Sequence, residues 1–211
     1  LHDHLLRSGI PDLASHARVF EPAFPSAGSH ADSRDVRPRR LVCFASPDVP
    51  GDLYHRAVDA IDTALRTGVI DPAGWSLALV GDGLGSVTFA HDITAELIES
   101  PGWQDRDAIA RSADVGVVLG SGPSPRDWAL RLAAHGRVVV TNRFGDRGST
   151  ADYSVRFVDA DSDVKALVGA LAEAIATASG AAEDHRDGDE DGFERDWRVA
   201  LEQVLDTVDA S

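Results

Sequence analysis

The first candidate for chemistry is the glycine-rich loop Gly120–Pro125, which joins an apolar run to the start of a predicted helix. Ser124 is placed to cap that helix, and Pro125 occupies its first position, where no backbone N–H is needed. The open N–H groups of such a loop and the positive end of the helix dipole attract an anion such as a diphosphate. The loop therefore predicts either an anion site or a helix that is only well capped.

A second glycine-rich turn, Gly81-Asp82-Gly83-Leu84-Gly85, also follows an apolar run, and Glu99 lies about 20 residues farther on. A dinucleotide fingerprint is G-x-G-x-x-G, so this spacing is wrong by one residue. The turn resembles the first motif of S-adenosylmethionine methyltransferases, in which the glycines let the backbone approach the cofactor. Three interpretations stay open: a turn that only ends a strand, a cofactor loop, and the wall of another ligand cleft.

The elements that position these loops alternate between short apolar runs and amphipathic helical patterns. Strands that are apolar throughout and alternate with helices are typical of a parallel sheet covered on both faces. Right-handed crossovers then give an α/β fold with a doubly wound parallel sheet, in which ligands bind at the carboxyl ends of the strands. The predicted strands are Leu41–Ala45, Ser76–Val80, Ala95–Ile98, Val115–Leu119, Val138–Thr141 and Val155–Val158, and the predicted helices are Asp52–Thr67, Asp105–Ser112, Pro125–His135 and Asp163–Ala178.

Composition limits the classes of function. The 211 residues suit one domain with an appendage. The formal net charge of −15 argues against nucleic acid or an anionic membrane as the main partner, because phosphates repel such a surface. The single cysteine excludes an intrachain disulfide, and no apolar stretch approaches the roughly 18 residues that span a bilayer, so we expect a soluble, cytoplasmic protein. The eight histidines are scattered and predict no metal site.

The chain divides into four predicted segments. Residues 1–40 are punctuated by prolines and are interpreted as a linker or the remnant of a preceding domain. Residues 41–180 form the α/β domain, 181–192 are an acidic linker, and 193–211 form a C-terminal amphipathic helix. Because the chain contains no methionine, we interpret it as a piece of a longer protein.

The order of motifs in the second half of the α/β domain resembles the C-terminal, donor-binding domain of retaining GT-B glycosyltransferases, especially the rhamnan-synthesis (rhamnosyltransferase) type. The motifs are SADVGVVL at 112–119, GPSP at 122–125, LRLAAHG at 130–136 and VVVTN at 138–142. The resemblance covers roughly residues 19–208, most densely 112–142. It implies a Rossmann-like domain whose last helix crosses back to an N-terminal acceptor domain.

The resemblance also implies a substrate and a set of site residues. The substrate is a nucleotide-diphosphate sugar, for example dTDP-rhamnose, whose sugar passes to a glycan acceptor in cell-surface polysaccharide synthesis. Neither a cofactor nor a metal is needed, because helix N-termini and basic side chains stabilise the leaving diphosphate. The implied residues are Gly122, Pro123, Ser124 and Arg131 for the diphosphate, Ser100, Pro101, Gly102 and Trp103 for the base, and Ser46, Gly81, Thr141 and Asn142 for the cleft wall.

Two departures from the family pattern favour a second hypothesis. The E-x7-E element of the family would place carboxylates at positions 123 and 131, where this chain has Pro123 and Arg131. The rhamnan-synthesis type shares the loss of the first carboxylate, so the departures are Arg131 and the absence of a basic side chain from residues 46–52. Arg131 either meets the donor phosphate or pairs with Asp127 one helical turn earlier. The second hypothesis is a non-catalytic GT-B-like domain that has lost its donor site, in which a glutamate at position 131 should restore nucleotide affinity.

A thermal-shift measurement separates the methyltransferase interpretation from the glycosyltransferase interpretation. We expect millimolar S-adenosylmethionine to leave the melting temperature unchanged. UDP or dTDP should raise it, since a ligand that binds only the folded state stabilises that state. A rise with S-adenosylmethionine and none with either nucleotide would favour the methyltransferase.

Overall fold

The computed structural model describes residues 38–120, 127–143, 155–159 and 163–180. The predicted linkers and the predicted C-terminal helix at 193–211 lie outside the described residues, apart from 38–40, as do Gly122, Pro123 and Ser124. The described elements are β1 (Arg39–Phe44), α1 (Tyr54–Arg66), β2 (Trp75–Gly81), a 3-10 turn (Ala90–Asp92), β3 (Glu96–Glu99), α2 (Trp103–Ser112), β4 (Val115–Val118), α3 (Asp127–Ala134), β5 (Val138–Arg143), β6 (Val155–Asp159) and α4 (Val164–Gly180).

The six strands form one parallel sheet in the order β3-β2-β1-β4-β5-β6. The chain builds outward from β1 to β3, returns to the other side of β1 as β4, and then builds outward again. This order is that of a doubly wound α/β fold, and it confirms the predicted fold class. The direction of winding reverses between β1 and β4, the place where such folds bind ligands.

The core explains why the central strands are apolar throughout. Leu41 and Cys43 of β1 point to the face covered by α1 and α4, with Ile61 and Leu171 among their neighbours in the buried cluster. Phe44 is one residue out of phase and points to the opposite face, since successive side chains of a strand alternate. Helices therefore cover both faces of β1.

Helix α3 lies close to the sheet on that opposite face because β4 carries a glycine there. A Cβ atom at Gly116 would stand 2.3 Å from Cδ1 of Leu132, which is completely buried. The glycine thus lets the α3 side chains reach the strand backbone, and α3 packs on β4 and β5.

The connection between β2 and β3 contains one 3-10 turn in place of a crossover helix. The turn Gly81–Gly85 therefore lies at the end of β2, and no α-helix begins directly after it. In a doubly wound fold, by contrast, the cofactor loop follows the first strand and continues into a helix. The methyltransferase interpretation lacks the helix terminus that its cofactor loop requires.

Gly81 has a steric role at the carboxyl end of β2. The Ala45 N–H donates to the Val80 carbonyl at 2.9 Å, which draws the two strand ends together. A Cβ atom at Gly81 would then stand 1.6 Å from the Ala45 carbonyl oxygen, a backbone atom that cannot rotate away. Only glycine allows this approach.

The substitution Gly81→Ala should therefore lower the free energy of unfolding by about 2 kcal/mol or more, because the strand ends must separate. Gly85→Ala is the matched control, since a Cβ atom there meets nothing within 4 Å. We expect that variant to stay within about 0.5 kcal/mol of the wild type in urea unfolding. Equal stability of the two variants would contradict the proposed steric role.

Candidate functional site

A cleft of about 400 Å³ opens at the carboxyl ends of β1, β2 and β3. Its walls come from the three strand ends and from α2 and α3, so the sheet order brings together parts of the chain that are distant in sequence. Its described lining residues are Phe44, Ala45, Ser46, Val80, Gly81, Asp82, Ser100, Pro101, Arg106 and Trp128.

Two stacked aromatic rings and an arginine form one wall of the cleft. Phe44, the last residue of β1, is 2% exposed, and its ring stacks on Trp128 of α3 with centroids 4.2 Å apart and planes inclined by 27°. The guanidinium carbon of Arg106 lies over the Trp128 ring, 5.6 Å from its centroid. This wall offers a flat apolar surface beside a positive charge, which suits an aromatic or anionic ligand.

Ser100 holds the carboxylate of Asp82 at the cleft. The Ser100 backbone has a positive φ of 47°, a conformation that costs roughly 1–3 kcal/mol for a non-glycine residue. Its N–H donates to the Gly81 carbonyl at 3.1 Å, and its hydroxyl donates to Asp82 Oδ1 at 2.5 Å. These bonds fix the loop after β3 against the end of β2.

The structure brings together Ser46, Gly81, Ser100 and Pro101 in the cleft lining. Of the other residues predicted for the base pocket, Gly102 is the N-cap of α2 and Trp103 is its first residue. The backbone of this predicted pocket thus lies along the β3–α2 connection.

Six lining residues were absent from the predicted site: Phe44, Ala45, Val80, Asp82, Arg106 and Trp128. Asp82 carried a signal, because it lies in the glycine-rich turn after β2. Phe44 and Trp128 looked like ordinary apolar residues of a strand and a helix. Arg106 looked like a polar residue of an exposed helix face, so only its contact with Trp128 reveals its place.

Thr141 and Asn142, predicted as cleft wall, are buried beside Val118 and Gly120 at the end of β4. The Asn142 side chain is 1% exposed and makes two hydrogen bonds with Gly120, accepting from its N–H at 2.7 Å and donating to its carbonyl at 2.6 Å. The Thr141 hydroxyl donates to the Val118 carbonyl at 2.7 Å. Both side chains therefore fix the start of the loop Gly120–Pro125.

Arg131 is buried between α3 and α2, 5% exposed, and its guanidinium pairs with Asp107 Oδ1 at 2.5 Å. His135 Nε2 lies 3.6 Å from the same oxygen. Burial raises the pKa of Asp107, but hydrogen bonds and charge from Arg131 and His135 outweigh burial, and the net pKa is lowered. Burial lowers the pKa of His135 more than Asp107 raises it, and the nearby charges of Arg111 and Arg137 lower it further.

The structure thus gives Arg131 a partner that the sequence did not indicate. The predicted partner Asp127 has its side chain outside the described residues. The charge of Arg131 is used at the α2–α3 interface, and Arg131 does not belong to the described lining of the cleft.

Residues 39–172 match the protein family described as "WsaF, C-terminal domain". This range contains every described residue that lines the cleft. No match was found among curated proteins.

Solved GT-B glycosyltransferases share the fold. The lipopolysaccharide outer core galactosyltransferase WaaB superposes with a TM-score of 0.62 at 12% identity, covering 99% of this chain and 59% of that one. WaaG, a glycosyltransferase involved in lipopolysaccharide biosynthesis, gives 0.56 at 14% identity, covering 75% and 47%. An α,α-trehalose-phosphate synthase (UDP-forming) from Burkholderia xenovorans gives 0.52 at 17% identity, covering 65% and 36%.

These matches confirm the resemblance to GT-B enzymes at the level of the fold and give no support to a methyltransferase. The chain spans between 36% and 59% of the length of these three structures. Among the described residues, no helix has the length and apolar character needed to cross a membrane.

The substitution Arg131→Glu should lower the free energy of unfolding by about 2–4 kcal/mol, because it places a second carboxylate against Asp107 in a largely buried position. The exchanged pair Asp107→Arg with Arg131→Glu restores opposite charges and should recover at least half of that loss. Urea unfolding of the wild type and both variants measures the effect. If Arg131→Glu alone were as stable as the wild type, the ion pair would contribute nothing to the free energy of unfolding.

Proposed function

The chain belongs to the WsaF C-terminal domain family, and from this premise we propose that it is the donor-binding domain of a glycosyltransferase. The cleft at the carboxyl ends of β1, β2 and β3 would hold a nucleotide-diphosphate sugar. The observation that carries this proposal is the position of the cleft, at the sheet edge where doubly wound folds bind nucleotides, with aromatic rings and an arginine in its wall.

The proposed binding mode divides the donor among three places. The loop after β3, Ser100–Trp103, would take the base. The loop after β4, Gly122, Pro123 and Ser124, would hold the diphosphate, with the backbone N–H groups of Gly122 and Ser124 as donors. Ser46 and Gly81 would line the space between them.

In the proposed reaction, the bond between the anomeric carbon and the diphosphate oxygen breaks, and the diphosphate leaves with the electron pair. An acceptor hydroxyl forms the new glycosidic bond, and its proton passes to the departing diphosphate. The part played by this domain is to hold the departing negative charge with fixed N–H groups and cationic side chains, which lowers the barrier without a metal. We propose a deoxysugar donor such as dTDP-rhamnose and an acceptor glycan held by a second domain.

One observation favours a second candidate, a GT-B-like domain without a donor site. Position 131 carries an arginine where the family pattern has a carboxylate, and this arginine is committed to Asp107. A domain of this kind would keep the fold and serve assembly. It predicts no nucleotide binding, whereas the first candidate predicts binding in the cleft.

Calorimetric titration with UDP and with dTDP tests both candidates. We expect the wild-type chain to bind at least one of them. Ser46→Phe, which fills the cleft, should weaken that binding about tenfold or more, equivalent to about 1.4 kcal/mol. Ser76→Phe is the matched control, since Ser76 is exposed at the amino end of β2, and it should leave the affinity unchanged.

Absence of binding at millimolar concentrations of either nucleotide would exclude the first candidate and favour the second. Binding that Ser46→Phe leaves intact would place the nucleotide elsewhere on the chain. Circular dichroism of each variant confirms that the fold is retained.

A further inference from the structure

Arg106 is the described residue whose charge and position best fit a phosphate in the cleft. Of the described lining residues, Arg106 alone is positively charged and Asp82 alone is negatively charged. The whole chain carries a net charge of −15, so its overall field opposes the entry of an anion. An anionic ligand therefore needs a local cation in the cleft. Among the described lining residues, only Arg106 supplies one.

Trp128 places the positive charge of Arg106 beside the cleft. The guanidinium carbon lies over the indole ring, 5.6 Å from its centroid, and that ring is itself stacked on Phe44 at the end of β1. A guanidinium group has a planar fork of N–H donors whose geometry matches the oxygens of a phosphate.

The turn of α2 that carries Arg106 is fixed to the helix that carries Trp128. Asp107, the next residue, forms the ion pair with Arg131, three residues after Trp128 on α3. The interface that uses Arg131 therefore also sets the distance between Arg106 and Trp128. A cation held in this way loses little side-chain freedom when an anion binds.

We propose that Arg106 binds the diphosphate of the donor, with Trp128 as the platform that orients it. This inference rests on the proposed function. It assigns a phosphate contact to α2, because the segment 46–52 has no basic side chain that could make one. Arg106 then determines the preference of the site for a diphosphate over a monophosphate or a nucleoside.

The test is calorimetric titration of the wild type, Arg106→Gln and Arg106→Lys with three ligands. The ligands are the diphosphate, the monophosphate and the nucleoside of uridine or thymidine, using whichever series the wild type binds more tightly. Arg66→Ala is the control, because Arg66 is an exposed arginine at the end of α1, paired with Asp62. Melting temperatures establish that every variant is folded.

Arg106→Gln should weaken binding of the diphosphate about tenfold or more, the usual range for one charge-assisted hydrogen-bonded contact, and binding of the nucleoside less than about twofold. Arg106→Lys keeps the charge but loses the paired N–H geometry and should fall between. Arg66→Ala should match the wild type.

An equal loss for the diphosphate and the nucleoside would overturn the inference, since it would show that Arg106 only packs against Trp128. Diphosphate binding that Arg106→Gln leaves intact would also overturn it, while the proposed function would stand. A wild-type chain that binds none of the three ligands would overturn the proposed function and this inference together.

Discussion

The structure depends on the close parallel pairing of β1 with a strand on each side. β1 lies between β2 and β4, and helices cover both of its faces, so every side chain from Leu41 to Phe44 is buried. From β2 the chain continues toward one edge of the sheet, and from β4 it continues toward the other. This divergence opens a crevice at the carboxyl ends of the central strands. The approach of Gly81 to the Ala45 carbonyl closes the floor of the cleft beside it. A shift in this pairing would displace the strand ends that line the cleft.

The α2–α3 interface carries an ion pair between Arg131 and Asp107, with His135 beside the same carboxylate. Removal of one partner from a buried pair costs more than the pair contributes, because it leaves a desolvated charge. Replacement of either Arg131 or Asp107 would therefore disturb the interface of the two helices that flank the cleft.

The net charge of the whole chain and the local charges in the cleft act differently on an anionic ligand. The net charge of −15 disfavours polyanions as ligands of the chain as a whole. Inside the cleft, Arg106 and Asp82 give the walls opposite charges, which would orient a ligand that is anionic at one end and rich in hydroxyl groups at the other. A nucleotide sugar has both features, so local charges can select it against the field of the whole chain.

The order and type of the elements, the parallel sheet and the resemblance to GT-B enzymes were all predictable from the sequence. These properties follow from local patterns: apolar runs, helical periodicity, glycine-rich strand ends and the motifs at 112–142. The pairing of Arg131 with Asp107, 24 positions away, depends on how α2 and α3 pack, and so does the meeting of Arg106, Trp128 and Phe44 in one wall. Periodicity states which face of a helix is buried, but strand order and helix packing decide which residue of another element lies against it.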